Sequence, residues 1–218
     1  MISRAAKKER AGKALATAYE RLNTRYGAAL MDPPYHAHAF DGALAVIFNA
    51  GVKENAGIFS QPQGWAILSQ ALMGNGDIAW QYYHENCPAA QNDEAQIRRL
   101  EPYCYGQFTE GPASEHFGRS HVHWLTGTAS TIMVGSVEGI LGLRPDLKGL
   151  WLMPAIPHDW DGFEMEKTFR GRKLHIVVKN PSHRQSGCES ITLNGEMLEK
   201  PYLPENKLLA ENEILLVL

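Results

Sequence analysis

The hydrophobic pattern changes period once along this chain, after Leu143-Arg144-Pro145, and that switch limits the fold more than any other feature. Before it, apolar residues recur at helical spacing. Ala11, Ala14, Leu15, Ala18, Tyr19 and Leu22 form one stripe and predict an amphipathic helix between Ala5 and Arg25, with Gly27 as its stop. Pro33-Pro34 opens an irregular stretch that runs through Gly51-Val-Lys-Glu-Asn-Ala-Gly57 and reads as a long loop. Trp65 to Met73 is apolar almost all round and predicts a helix buried between others. Gly74-Asn-Gly76 closes it, and Asp77 is placed to cap an antiparallel helix through Trp80, Tyr82 and Tyr83. The turn-rich segment Glu110 to Gly118 then precedes a helix predicted from about Ala129 to Leu143. Its only charge is Glu138, so an interior position is expected.

After the switch come short runs rich in β-formers: Leu150–Leu152, Phe163–Phe169, Leu174–Lys179, Ser190–Leu193 and Glu213–Leu218. Gly171 and Asn194-Gly195 supply hairpin turns. The expected class is α+β, an all-helical part of about 145 residues followed by a small antiparallel β part.

Several functions are excluded by composition. Over 218 residues, 24 acids face 21 bases, and the only cationic cluster lies between Arg4 and Arg10, so no face is suited to tracking a phosphate backbone. Partners that are nucleic acid or membrane are not expected. The run Ser120 to Val137 is uncharged but broken by His, Ser, Thr and Gly, and the charged N-terminus is followed by no apolar secretory core. Three cysteines without a CxxC pair suggest neither a disulfide framework nor a thiol metal site, and a reduced cytoplasmic location is the expectation.

Among chemical motifs, no P-loop, dinucleotide fingerprint, HExxH or serine elbow occurs. His121-Val-His123 is the tightest histidine pair, but no third ligand follows at a useful offset. It reads as polar loop residues entering a helix, and no metal site is expected. Asn75-Gly-Asp77 reads as helix termination. The sequence Trp124-Leu-Thr126-Gly127-Thr128 places a hydroxyl beside a glycine at a helix start, which suits a phosphate and equally suits a plain N-cap. Lys53-Glu54-Asn55 sits between Gly51 and Gly57 and fits either a polar ligand or a solvated loop. Trp65, Trp80, Tyr103, Tyr105, Gln107 and Trp124 supply the aromatic faces and amides that grip sugars, or ordinary core.

Taken together, VKENAGIFSQPQGW, LEPYCYGQFTEGP, HVHWLTGTAS, ILGLRPDLKGLWLMPAIPHDWDGF and the closing strands resemble the C-terminal portion of glycoside hydrolase family ninety-four, the inverting disaccharide phosphorylases. The resemblance begins around Tyr26-Gly27. It implies residues 1–146 as the last helices of an (α/α)6 barrel and residues 147–218 as a C-terminal β-domain. It also implies no cofactor, with inorganic phosphate as co-substrate and nucleophile, so that one general acid suffices where an inverting hydrolase needs two carboxyl groups.

By the same resemblance Thr126 and Gly127 match the family's phosphate-holding pair. Gln61 stands where many members place a histidine, and an amide donates to phosphate without adding charge. Lys53 and Glu54 match contacts to the acceptor sugar, and Gln107 matches a contact to the glucosyl unit. A lysine there suits a sugar acid, and the wording leans toward cellobionic acid phosphorylases, although the extra cation expected four residues earlier is Asn49. No segment matches the region of the family's general acid, and Asp32, Asp41 and Asp93 lie in other contexts. The chain therefore reads as part of a β-glucoside phosphorylase whose general acid lies upstream, inactive alone, acting as a homodimer or with a complementing N-terminal half. The alternatives are a non-catalytic carbohydrate-binding remnant, a truncated gene product, or a helical interaction protein.

Overall fold

The computed structural model describes residues 1–36 and 47–218. Asp41 and part of the expected long loop lie outside the described residues. Two compact units are present. One comprises Met1–Ser69 with Gln81–Gly135, the other Gln70–Trp80 with Ser136–Leu218.

In the first unit, α1 (Lys8–Leu22) forms where the apolar stripe predicts it and buries Ala11. A short hairpin of β1 (Asn23–Thr24) and β2 (Gly27–Ala28) follows. Helix α2 (Gln61–Leu72) and helix α3 (Gly76–Asn86) then run antiparallel, the Asn86 side-chain amide reaching Gln63 Oε1 at 3.5 Å. Gln63 is buried and binds β2 on both sides, accepting from Ala28 N at 2.9 Å and donating to Ala28 O at 2.8 Å. Tyr26 packs edge-on against Phe117, with centroids 5.2 Å apart, and lies beneath the buried Arg98 guanidinium. Burial pulls the Arg98 pKa down to about 10 against the opposing influence of Tyr26.

Four expectations for this part are corrected. It is not all helical: besides α4 (Ala95–Arg98) it holds a three-stranded sheet of β3 (Ile58–Phe59), β4 (Gly106–Thr109) and β5 (Ser120–His123), in that order. His121 and His123 thus belong to a strand rather than a loop. Trp65, in the helix expected to be wholly buried, is 52% exposed, because the covered side of α2 in this unit is that of Gln63, Gly64, Ile67 and Leu68. Helix α5 (Thr128–Val134) buries only Thr128 and Ile132, leaving Met133 and Val134 exposed, and continues as a π-helical segment, Gly135–Ile140. The wider turn is seen in the bond from Leu141 N to Ser136 O at 2.8 Å.

Helices α2 and α5 cross at unusually short range. A Cβ on Gly64 would stand 2.3 Å from the Thr131 carbonyl oxygen, and one on Gly135 would stand 2.8 Å from Gly64 O. The Thr131 hydroxyl donates to Gln61 O at 2.8 Å and pins the start of α2 to α5.

The second unit carries a five-stranded sheet in the order β11–β10–β13–β9–β8, and a three-stranded sheet in the order β12–β7–β6. Their strands are β6 (Leu143–Asp146), β7 (Gly149–Leu152), β8 (Gly162–Phe169), β9 (Arg172–Lys179), β10 (Ser190–Leu193), β11 (Glu196–Met197), β12 (Tyr202–Pro204) and β13 (Glu211–Val217). Both predicted two-residue turns form, with Arg170-Gly171 at φ 49° and 79° and Asn194-Gly195 at φ 51° and 83°, the left-handed values a type I′ turn needs. Strict alternation buries Leu174, Ile176 and Val178 on β9 and Asn212, Ile214 and Leu216 on β13. The expectation of a purely antiparallel sheet is corrected here: β13 enters between β10 and β9 and pairs with β9 in parallel, Ile176 opposite Ile214. Asn212 makes that insertion stable. Its buried side chain donates to Lys173 O and accepts from Leu209 N. Asp77 lies within the first turn of α3 rather than capping it, and its carboxylate accepts from His158 N at 2.8 Å.

The helix crossing yields a direct prediction. Gly64→Ala inserts a methyl group where Thr131 backbone already stands, and should lower stability by about 1–3 kcal/mol, measured by denaturant unfolding.

Candidate functional site

The start of α5 is built by Thr126. Its hydroxyl accepts from Thr128 N at 3.2 Å and lies 2.6 Å from the Thr128 hydroxyl, so Thr126 does organise the helix start as an N-cap would. Gly127 follows, exposed and without a side chain. The nearest atoms a Cβ there would meet are Gln61 Nε2 and Cδ, at 3.6 and 3.7 Å. Residues 61 and 127, far apart in sequence, thus stand side by side at the starts of α2 and α5. Thr126, Gly127 and Gln61, the expected phosphate set, occupy one place in the first unit.

Lys53 and Glu54 project from a tight turn. Lys53 takes φ 47°, its carbonyl accepts from Gly57 N at 3.0 Å, and its ammonium lies over the Phe48 ring, 5.2 Å from the centroid. The buried Asn55 side chain locks the turn, donating to Tyr35 O and Phe48 O and accepting from Tyr35 N. Gly51 and Gly111 let this turn meet the Glu110–Ser114 turn directly. Gly111 N donates to Gly51 O at 2.7 Å, and a Cβ on Gly111 would fall 2.1 Å from Ala56 O. Gln107, on β4, accepts from Ser60 N through its carbonyl and so ties the β4 strand to the residue preceding α2. Among the described residues, no hydrogen bond or ion pair links Lys53 or Glu54 to Thr126.

A residue that sequence reasoning missed is Glu110. It is buried, accepts from Ser114 Oγ, and lies 2.7 Å from His121 Nε2 and 3.5 Å from Arg119 Nε. Burial pushes its pKa up, but the Ser114 and His121 hydrogen bonds and the charges of His121 and Arg119 outweigh it and hold the carboxyl below its ordinary range. Glu110 anchors the turn that supports the Lys53 loop to β5. A hydroxyl, an arginine and a histidine within eleven residues after a turn glutamate were the available signal.

Residues 1–142 match the family profile described as "Glycosyl hydrolase 94 superfamily, catalytic domain". The chain belongs to this family. Its relatives include an N,N'-diacetylchitobiose phosphorylase of Vibrio proteolyticus, 36% identical over 218 residues, covering 100% of this chain and 27% of that protein. A Vibrio furnissii protein of the same name is 37% identical over 199 residues, covering 91% of this chain and 25% of its own length. A cellobionic acid phosphorylase of Neurospora crassa is 28% identical, covering 94% and 26%. This family 94 chain therefore spans about a quarter of the length of each of these three relatives.

The Glu110 cluster makes a pH-dependent prediction. A carboxyl whose folded pKa is depressed contributes stability above its unfolded pKa and loses it as pH falls through the folded value. Glu110→Gln should therefore lower Tm most above the ordinary carboxyl range, at about pH 5 and higher, with the gap to the parent closing as pH falls below it, as scanning calorimetry against pH will read.

Proposed function

We propose that this chain is the C-terminal segment of an inverting disaccharide phosphorylase, with residues 1–146 belonging to an (α/α)6 barrel and 147–218 to a β-domain. The reaction takes a β-linked disaccharide and phosphate to an α-sugar 1-phosphate and a released sugar. The observation that carries it is the approach of Gln61 to Gly127, the residue that follows Thr126. Two neutral donors and an open backbone stand there at paired helix starts, an arrangement suited to holding a phosphate oxyanion.

Thr126, Gly127 and Gln61 orient phosphate for attack on the anomeric carbon. Lys53 and Glu54 hold the acceptor sugar, and Gln107 holds the sugar that is transferred. A general acid protonates the departing oxygen and comes from polypeptide outside these residues, so the chain alone is inactive. For substrate, identities of 36 and 37% to the diacetylchitobiose enzymes against 28% to the cellobionic acid enzyme support a diacetylchitobiose-type disaccharide. Lys53 keeps a sugar acid as the competing substrate, because a close carboxylate would pair with its ammonium.

The test is a chimera in which this chain replaces the matching quarter of the Vibrio proteolyticus enzyme. Phosphate-dependent release of sugar 1-phosphate is expected from diacetylchitobiose or cellobionate. Thr126→Ala should lower kcat/KM for phosphate about tenfold or more, and Gln61→His should raise it. A folded chimera without turnover contradicts the proposal.

A further inference from the structure

Two aromatic side chains in the first unit are turned outward at some cost. Tyr103 is 73% exposed and Trp124 64%, and their rings lie 5.9 Å apart with planes at 47°. Trp124 adopts φ 67° and Val122 φ 55°, left-handed values that bulky residues avoid, where β5 leaves its ladder. The backbone there is fixed on both sides of Trp124. Its N–H donates to Tyr105 O at 3.1 Å, and its carbonyl accepts from Thr126 N at 3.1 Å. The exposed indole is thus held two residues from Thr126.

A carboxylate stands beside the rings. Glu101 Oε2 accepts from Cys104 Sγ at 3.1 Å and lies 3.1 Å from His123 Nδ1, while the side chain stays 40% exposed. The Cys104 hydrogen bond leads the influences that hold this carboxyl below its ordinary range, with Trp124 and the His123 charge adding to it. Glu101 is therefore a fixed, anionic acceptor open to solvent.

We infer that Tyr103, Trp124 and Glu101 form a sugar subsite that takes a pyranose ring of the disaccharide. The rings cover its apolar C–H face, and the carboxylate accepts from hydroxyls at its edge. Both halves of the match are chemical. A sugar presents an apolar face bounded by hydroxyl donors, and donors are what an exposed carboxylate selects. A second protein copy laid on the same rings would instead have to desolvate the Glu101 charge. The inference rests on the carbohydrate-active reading above, and adds to it residues that discriminate the sugar rather than hold the phosphate.

The five tryptophan indole N–H signals of the full chain provide the readout. In ¹H–¹⁵N spectra, cellobiose and N,N'-diacetylchitobiose should shift the Trp124 indole, assigned with Trp124→Phe, while the other four stay in place and report an intact fold. Tyr103→Ala, at an exposed position, and Glu101→Gln, at a half-buried one, should each weaken that binding by about threefold to tenfold. No shift at Trp124 with either sugar overturns the subsite. So does a Trp124 shift that follows protein concentration without sugar, or sugar binding unchanged in both variants. Parallel titration with inorganic phosphate, read at the Thr126 and Gly127 amides, separates the two readings. Phosphate shifts without sugar shifts overturn this subsite alone, and sugar shifts without phosphate shifts uphold it while counting against phosphorolysis.

Discussion

The close passage of α2 over α5 is the constraint on which the site depends. Gly64 has no side chain, so the Thr131 backbone can lie where any Cβ would collide, and the Thr131 hydroxyl reaches Gln61 O across the gap. A wider crossing would separate the two helix starts. With it closed, the Gln61 amide borders Gly127, the residue that follows Thr126. Packing density in a protein interior leaves little slack for such a contact, so a missing methyl group at position 64 is transmitted to the geometry of polar groups several residues away.

A second set of close approaches fixes the Lys53 loop. Gly51 and Gly111 meet backbone to backbone, Asn55 fills the space beneath, and Glu110 ties the supporting turn to β5 through His121 and Arg119. Ion pairs on the surface contribute little, but Glu110 is buried and fully engaged, so its removal would leave donors without an acceptor. Polar side chains that present to solvent are held in this way by buried polar groups that do not.

Local signals made β7, β8, β9, β10 and β13 of the second unit legible, but not β6 or β12. Runs of β-forming residues on β8, β9, β10 and β13 and the Asn194-Gly195 turn are properties of neighbouring residues, and all appear where those runs put them. The parallel insertion of β13 was not legible, because it depends on which long-range edge Asn212 completes. Strands β3 to β5 were missed for a different reason. They are at most four residues long, and no run of β-formers announces them. For the site, Thr126 and Gly127 carried a helix-start signal of their own, whereas the partnership of Gln61 with Gly127 came only from family resemblance. No spacing rule links residues 61 and 127, and the glycine that joins them reads in sequence as a weak point in a helix.

Phosphate held between these two helix starts is the central claim, and a crystal structure of the chain grown with inorganic phosphate tests it most directly. The account predicts a phosphate within hydrogen-bond distance of Gln61 Nε2 and the Thr126 hydroxyl, lying against Gly127. A structure with phosphate bound elsewhere, or with Gln61 turned away from Gly127 and no anion between them, would contradict it.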